Sequence, residues 1–145
     1  MSVFSPASAE VGTELPELPG VRVTRTLLAL FAGASGDHNP IHIDSDAARA
    51  AGLDDVIAHG MLSMALLGRL LTTWVPVQDV LSFKVRFSAP TPVHAVLRCT
   101  ARVTAIDEDE GVRRARLSVT VRIEDGPVTV RGEACVRLPD HGAER

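Results

Sequence analysis

Residues 59–75 read HGMLSMALLGRLLTTWV, and a helix of this composition has to be housed by something. Met61, Leu62, Met64, Ala65, Leu66, Leu67, Leu70, Leu71 and Trp74 surround most of a helical circumference, with Ser63, Arg69, Thr72 and Thr73 as the polar minority. A helix apolar on nearly every side belongs inside other structure. The housing follows in the chain. From Val80 to Ser88 apolar and polar residues alternate strictly, Leu81, Phe83, Val85 and Phe87 on one side and Ser82, Lys84, Arg86 and Ser88 on the other. A second row runs Leu97, Cys99, Ala101, Val103, Ala105; a third runs Ala115, Leu117, Val119, Val121, Ile123; a fourth runs from Val128 through Val130, Gly132, Ala134 and Val136 to Leu138. Each row has the period of a strand with one buried face and one wet face. The joints APTP, DEDEG and EDGP are turn-like, and short joints between long strands predict an antiparallel meander.

A sheet with one apolar face needs a cover, and the segment from Met61 to Trp74 is the only element apolar enough to provide it. The expected fold class is therefore α+β: an antiparallel sheet wrapped around a long apolar central helix, the hot-dog architecture. Such a helix is ~21 Å long, a fair match to strands of six or seven residues. Edge strands of the sheet need pairing or covering, which predicts a dimer that extends the sheet.

Upstream, Val21 to Arg25 is a short strand candidate and Thr26 to Ala34 has helical spacing. Asp44 or Ser45 suits the start of a short helix that Gly52 would end. The expected organisation is a proline-bearing extended lead-in over 1–20, one hot-dog domain over 21–139 and a tail over 140–145. With 145 residues, 46% of them hydrophobic and 23% charged, the chain has the size and composition of one globular domain. A net charge of -3 gives no support to nucleic-acid binding. No apolar run reaches the ~20 residues of a membrane span, and the first residues lack the basic start and apolar run of a signal peptide. A cytoplasmic protein with two free thiols, Cys99 and Cys135, is the expectation. The sequence has no tyrosine, so acid–base work falls to Asp, Glu, His, Cys or water.

Residues 35–43, SGDHNPIHI, crowd two histidines, an aspartate and an asparagine around a proline. A metal site is disfavoured: the four-residue spacing of His38 and His42 suits a helix face, and Pro40 after Asn39 breaks a helix there. Gly36, Asp37, Asn39 and Pro40 are good turn residues, so taken singly they need be no more than a turn.

Taken together, the run from Phe31 through Ser35, Gly36, Asp37, Asn39, Pro40 and His42 to Asp44 and Ala47 resembles the signature of the MaoC-like (R)-specific enoyl hydratases and dehydratases. The run Ala58 to Leu62 is similar to that family's second landmark. The resemblance implies a hot-dog fold and reversible interconversion of trans-2-enoyl and (3R)-3-hydroxyacyl thioesters of CoA or acyl carrier protein, a hydro-lyase reaction of fatty-acid metabolism. It implies Asp37 and His42 as the catalytic pair and the Gly60 amide as donor to the thioester oxygen. Gly36, Asn39, Pro40, His59 and Ser63 are expected to shape the motif or lie near substrate, and His38 inherits no role. No metal or other cofactor is implied.

The stretches SGDHNPIH, AHGML and Thr73 to Val75 are also similar to the catalytic subunit of actinobacterial heteromeric (3R)-hydroxyacyl-carrier-protein dehydratases. That likeness implies a homodimer or a heterodimer with a related hot-dog chain, and in the second case little activity alone. A hot-dog acyl thioesterase and a non-catalytic thioester-binding module are the competing functions. The paired Asp37 and His42 favour the hydratase over both.

Overall fold

The computed structural model describes residues 5–139, so the expected tail at 140–145 lies outside the described residues. The elements are β1 (Val21–Arg22), α1 (Arg25–Ser35), α2 (Ser45–Ala50), α3 (Gly60–Trp74), β2 (Val80–Phe87), β3 (Val96–Asp109), β4 (Val112–Ile123) and β5 (Val128–Arg137). The five strands form one antiparallel sheet in the order β1-β3-β4-β5-β2, curled around α3. This is the hot-dog fold.

The core lies between α3 and the inner rows of the sheet. Leu67, Leu70 and Leu71 are fully buried, in one cluster with Leu97, Val103, Leu117, Val119 and Val121. Each such leucine contributes roughly 1.5–3 kcal/mol of burial. The inner positions of β4 keep the expected alternation throughout, while β3 is bulged between Val103 and Ala105, so Ile106 rather than Ala105 takes up the core contact next along the strand. The joint between β3 and β4 is only Glu110-Gly111, both at positive φ, and the residues before it extend β3.

Three expectations are corrected. The sheet is not a simple meander: β3, β4 and β5 follow one another, but β2 pairs with β5 at the far edge. Residues 88–95 therefore cross the sheet instead of forming a hairpin. The crossing is about 14 Å for three strand spacings, within reach of eight residues at ~3.3 Å or more each. Prolines 90 and 92 favour extended backbone at residues 90–92, and the segment then turns at Val93–His94, where His94 has a φ of 72°. Secondly, β2 does not turn a full apolar row inward. A register shift between Val80 and Ser82 leaves Leu81 41% exposed, and Phe87 at the strand's end is 49% exposed. Thirdly, α3 is not enclosed all round: Met61 is 55% exposed and Ala65 also faces outward.

The described part of the N-terminal lead-in is packed on the domain. Residues 12–15 run beside β3, with Leu15 N–H donating to Ala101 O (2.9 Å) and Val103 N–H to Thr13 O (2.8 Å). Ala9 and Leu15 are buried. Cys99 and Cys135 are free thiols, and burial, with a smaller contribution from Glu17, pushes the Cys99 thiol up to about 11. No helix among the described residues is long and apolar enough to cross a membrane.

Candidate active site

The SGDHNPIHI segment folds as a chain of local caps. α1 ends at Gly36, whose φ of 75° is left-handed and favours glycine. Ser35 Oγ donates to Phe31 O (2.7 Å) and accepts from Asp37 N–H (3.2 Å). Asp37 Oδ1 accepts from Asn39 N–H (3.2 Å), and Asn39 Oδ1 accepts from Ile41 N–H (3.2 Å). Pro40 then opens a single 3-10 turn, Pro40–His42. Asp44 caps α2 through the amides of Asp46 and Ala47. Asn39 is thus a turn residue, and His38 is exposed.

Asp37 and His42 come out of this turn differently. The Asp37 side chain is 50% exposed, with Oδ1 held by backbone and Oδ2 4.0 Å from His42 Nε2. His42 is buried, and its Nδ1 lies 2.7 Å from the carbonyl oxygen of Ile57. A carbonyl only accepts, so Nδ1 carries the proton and Nε2 presents its lone pair toward Asp37. Ile57 is itself held in place. Ala58 N–H donates to Thr91 O (2.8 Å) and Val93 N–H to Val56 O (3.2 Å), which ties residues 56–58 to the crossover. Below them, Arg25 grips Asp55 through both guanidinium nitrogens (3.1 and 2.5 Å), and Asp55 Oδ1 also accepts from Ser45 Oγ and Val56 N–H. The Arg25 hydrogen bond, then those from Val56 and Ser45, hold the Asp55 carboxyl well below the usual carboxylate range.

Beside His42 opens a pocket of about 380 Å³. Gly60, Ser63, Phe87, Thr91 and Val130 line it with His42 and Ile57. Gly60 is the first residue of α3, whose N-terminus has no side-chain cap; Leu62 N–H turns back to His59 O (3.1 Å), which leaves the Gly60 amide at the pocket lining for an oxygen there. A β-carbon on Gly60 would lie 3.0 Å from the Phe87 ring, so the aromatic wall fits this glycine closely. Ser63 is buried and lines the pocket one turn into the helix.

Sequence reasoning missed several of these parts. Phe87 carried the signal of a core position, and it is a pocket wall. The Ile57 carbonyl is a backbone group that no side-chain pattern marks, Thr91 sat in a turn-like joint, and Val130 carried only the signal of a core row. His59, expected to shape the motif or lie near substrate, stacks its ring on His42 with centroids 3.9 Å apart and planes 27° apart.

The ligand atoms of Asp37, His42 and His59 lie within 4.8 Å of one another. They fit a metal poorly. In-plane lone pairs on two nearly parallel stacked rings run past each other and do not converge on a point ~2.1 Å from both. The 4.0 Å gap between Asp37 Oδ2 and His42 Nε2 instead suits one water. At ~2.8 Å from each, that water would subtend about 90°.

A curled sheet around a central helix, with His42 and the first residue of α3 lining one pocket and Asp37 4.0 Å from His42, is the arrangement of a hot-dog hydro-lyase. Residues 6–124 match the MaoC like domain, and the chain belongs to that family. It is 35% identical over 124 residues to the 3-hydroxyacyl-thioester dehydratase Z of Mycobacterium tuberculosis, covering 81% of this chain and 82% of that protein. It is 31% identical to the (R)-specific enoyl-CoA hydratase of Rhodospirillum rubrum, over 83% of each. The unliganded R-hydratase from Pseudomonas aeruginosa superposes with a TM-score of 0.81 at 31% identity, over 94% of this chain and 86% of that one.

Proposed function

We propose that this chain adds water reversibly across the C2–C3 double bond of trans-2-enoyl thioesters to give (3R)-3-hydroxyacyl thioesters, with Asp37 and His42 as the catalytic pair. The observation that carries the proposal is the 4.0 Å approach of Asp37 Oδ2 to His42 Nε2 beside a pocket that also holds Gly60 at the start of α3. In the hydration direction a water between the two side chains gives up a proton to the Nε2 lone pair as its oxygen bonds to C3. Asp37 holds the water's other hydrogen. Charge gathers on the thioester oxygen, and the Gly60 amide at the positive end of α3 stabilises it; one such donor contributes ~3 kcal/mol to the barrier. A proton returned to C2 from the same side completes a syn addition. Loss of water runs the same steps backward.

The test is hydration of a short trans-2-enoyl-CoA by the purified chain, with the product's configuration determined. A (3R) product supports the proposal. Release of free thiol without hydration would instead make the protein a thioesterase. Asp37→Asn and His42→Gln should each stay folded and lose about 10²–10⁴-fold in kcat. A variant that keeps near-normal turnover removes its residue from the mechanism.

The functional unit we propose is a dimer, with a second copy or a related hot-dog chain against β2. The exposed edge of β2 and the half-exposed Leu81, Phe87 and Met61 support it. The same assay run with CoA and carrier-protein thioesters of one acyl group identifies the carrier.

A further inference from the structure

We infer that His59 is a positioning residue that keeps the N-terminus of α3 open for the substrate oxygen and ties it to the Asp37 turn. The inference rests on the hydratase reading above. His59 stands at the N-cap of α3, and its side chain makes no capping hydrogen bond, leaving only its carbonyl to accept from Leu62 N–H (3.1 Å). Ser, Asp or Asn at that position places an oxygen over the amides of Met61 and Leu62, beside the Gly60 amide, where it would crowd a substrate oxygen. His59 turns the other way. Its ring is 1% exposed, lies 3.9 Å from the His42 ring and 5.0 Å from that of Phe31, and its Nε2 is 3.1 Å from the Asp37 carbonyl oxygen. That carbonyl accepts, so Nε2 carries the proton and Nδ1 is bare.

Nδ1 is buried and has no hydrogen-bond partner among the described residues. A buried acceptor left unpaired is costly, and stability alone would favour a phenyl ring here or a capping side chain. Histidine satisfies a different set of demands. It is flat enough to stack on His42, carries an N–H that reaches Asp37, and lacks an oxygen that would occupy the helix end. One side chain thereby holds the backbone of Asp37, the plane of His42 and the openness of the turn at Gly60.

The test compares His59→Phe, which keeps the stack but loses the tie to Asp37, with His59→Asn, which loses both and can cap α3. Both are assayed in the full chain, with kcat expressed per folded protein from circular dichroism. The expected result is a kcat loss of about tenfold or more in each variant, larger in Asn, with KM within about threefold of wild type. A smaller loss, or one carried by KM or by the folded fraction, overturns the inference. If neither variant folds, the ring-nitrogen tautomer of His59 in the wild-type protein decides by NMR. A proton on Nε2 supports the assignment and a proton on Nδ1 overturns it. A wild-type chain inactive on every enoyl thioester counts against the hydratase function instead, and the tautomer still judges His59.

Discussion

Asp37 and His42 are legible in the sequence by resemblance, and the turn that carries them is contiguous, held by local hydrogen bonds among Ser35, Asp37, Asn39 and Ile41. His59 is expected near the motif, but its particular bond to Asp37 spans 22 residues and depends on where α3 begins in space. The support beneath the site is equally non-local. Arg25, Ser45 and Asp55 come from three segments and meet under Ile57, the residue that fixes the His42 tautomer. Asp55 has a measurable pH signature. Its folded-state carboxyl is held below its ordinary value, so its contribution to stability is full above that value, about 3.9, and is lost as pH falls toward the folded one. Asp55→Asn should lower the urea midpoint at pH 7, and the difference from wild type should narrow below about pH 4. An unchanged difference at acid pH would show that the residue acts by shape alone.

Among the elements, β3, β4 and β5 announce themselves because strict alternation fixes which face each strand buries. Alternation says nothing about which neighbour a strand pairs with, and the prolines of residues 88–95 resemble turn residues as much as crossover residues. That is why the position of β2 was hidden. Once it is known, Gly132 acquires a purpose that its place in an apolar row did not suggest. A β-carbon there would lie 2.1 Å from Lys84 O and 2.9 Å from Val85 Cα, so β5 has to be bare where β2 lies against it. Gly132→Ala should destabilise the protein by at least about 1–3 kcal/mol in chemical denaturation, since backbone rather than a flexible side chain must give way. A change below ~0.5 kcal/mol would mean that the two strands part easily.

For the molecule as a whole, Leu81 and Phe87 of β2 and Met61 at the start of α3 leave apolar surface facing water, and Phe87 is also a pocket wall. The expected outcome in light scattering is a species of twice the chain mass, alone or with a related chain, and Leu81→Lys should shift it toward monomer. A monomeric wild-type chain with full activity would rule that assembly out. The far-edge position of β2 also bears on the order in which the protein comes together. Hairpins β3–β4 and β4–β5 join residues close in sequence and close small loops, whereas β2 reaches β5 only after both are present. The strand that arrives last is expected to leave first, taking Phe87 with it. Under mild denaturant, amides of β2 should exchange with deuterium before those of β4, and turnover should fail while the inner strands remain protected. The enzyme's working limit would then be set by the opening of a single edge, well short of the unfolding of its core.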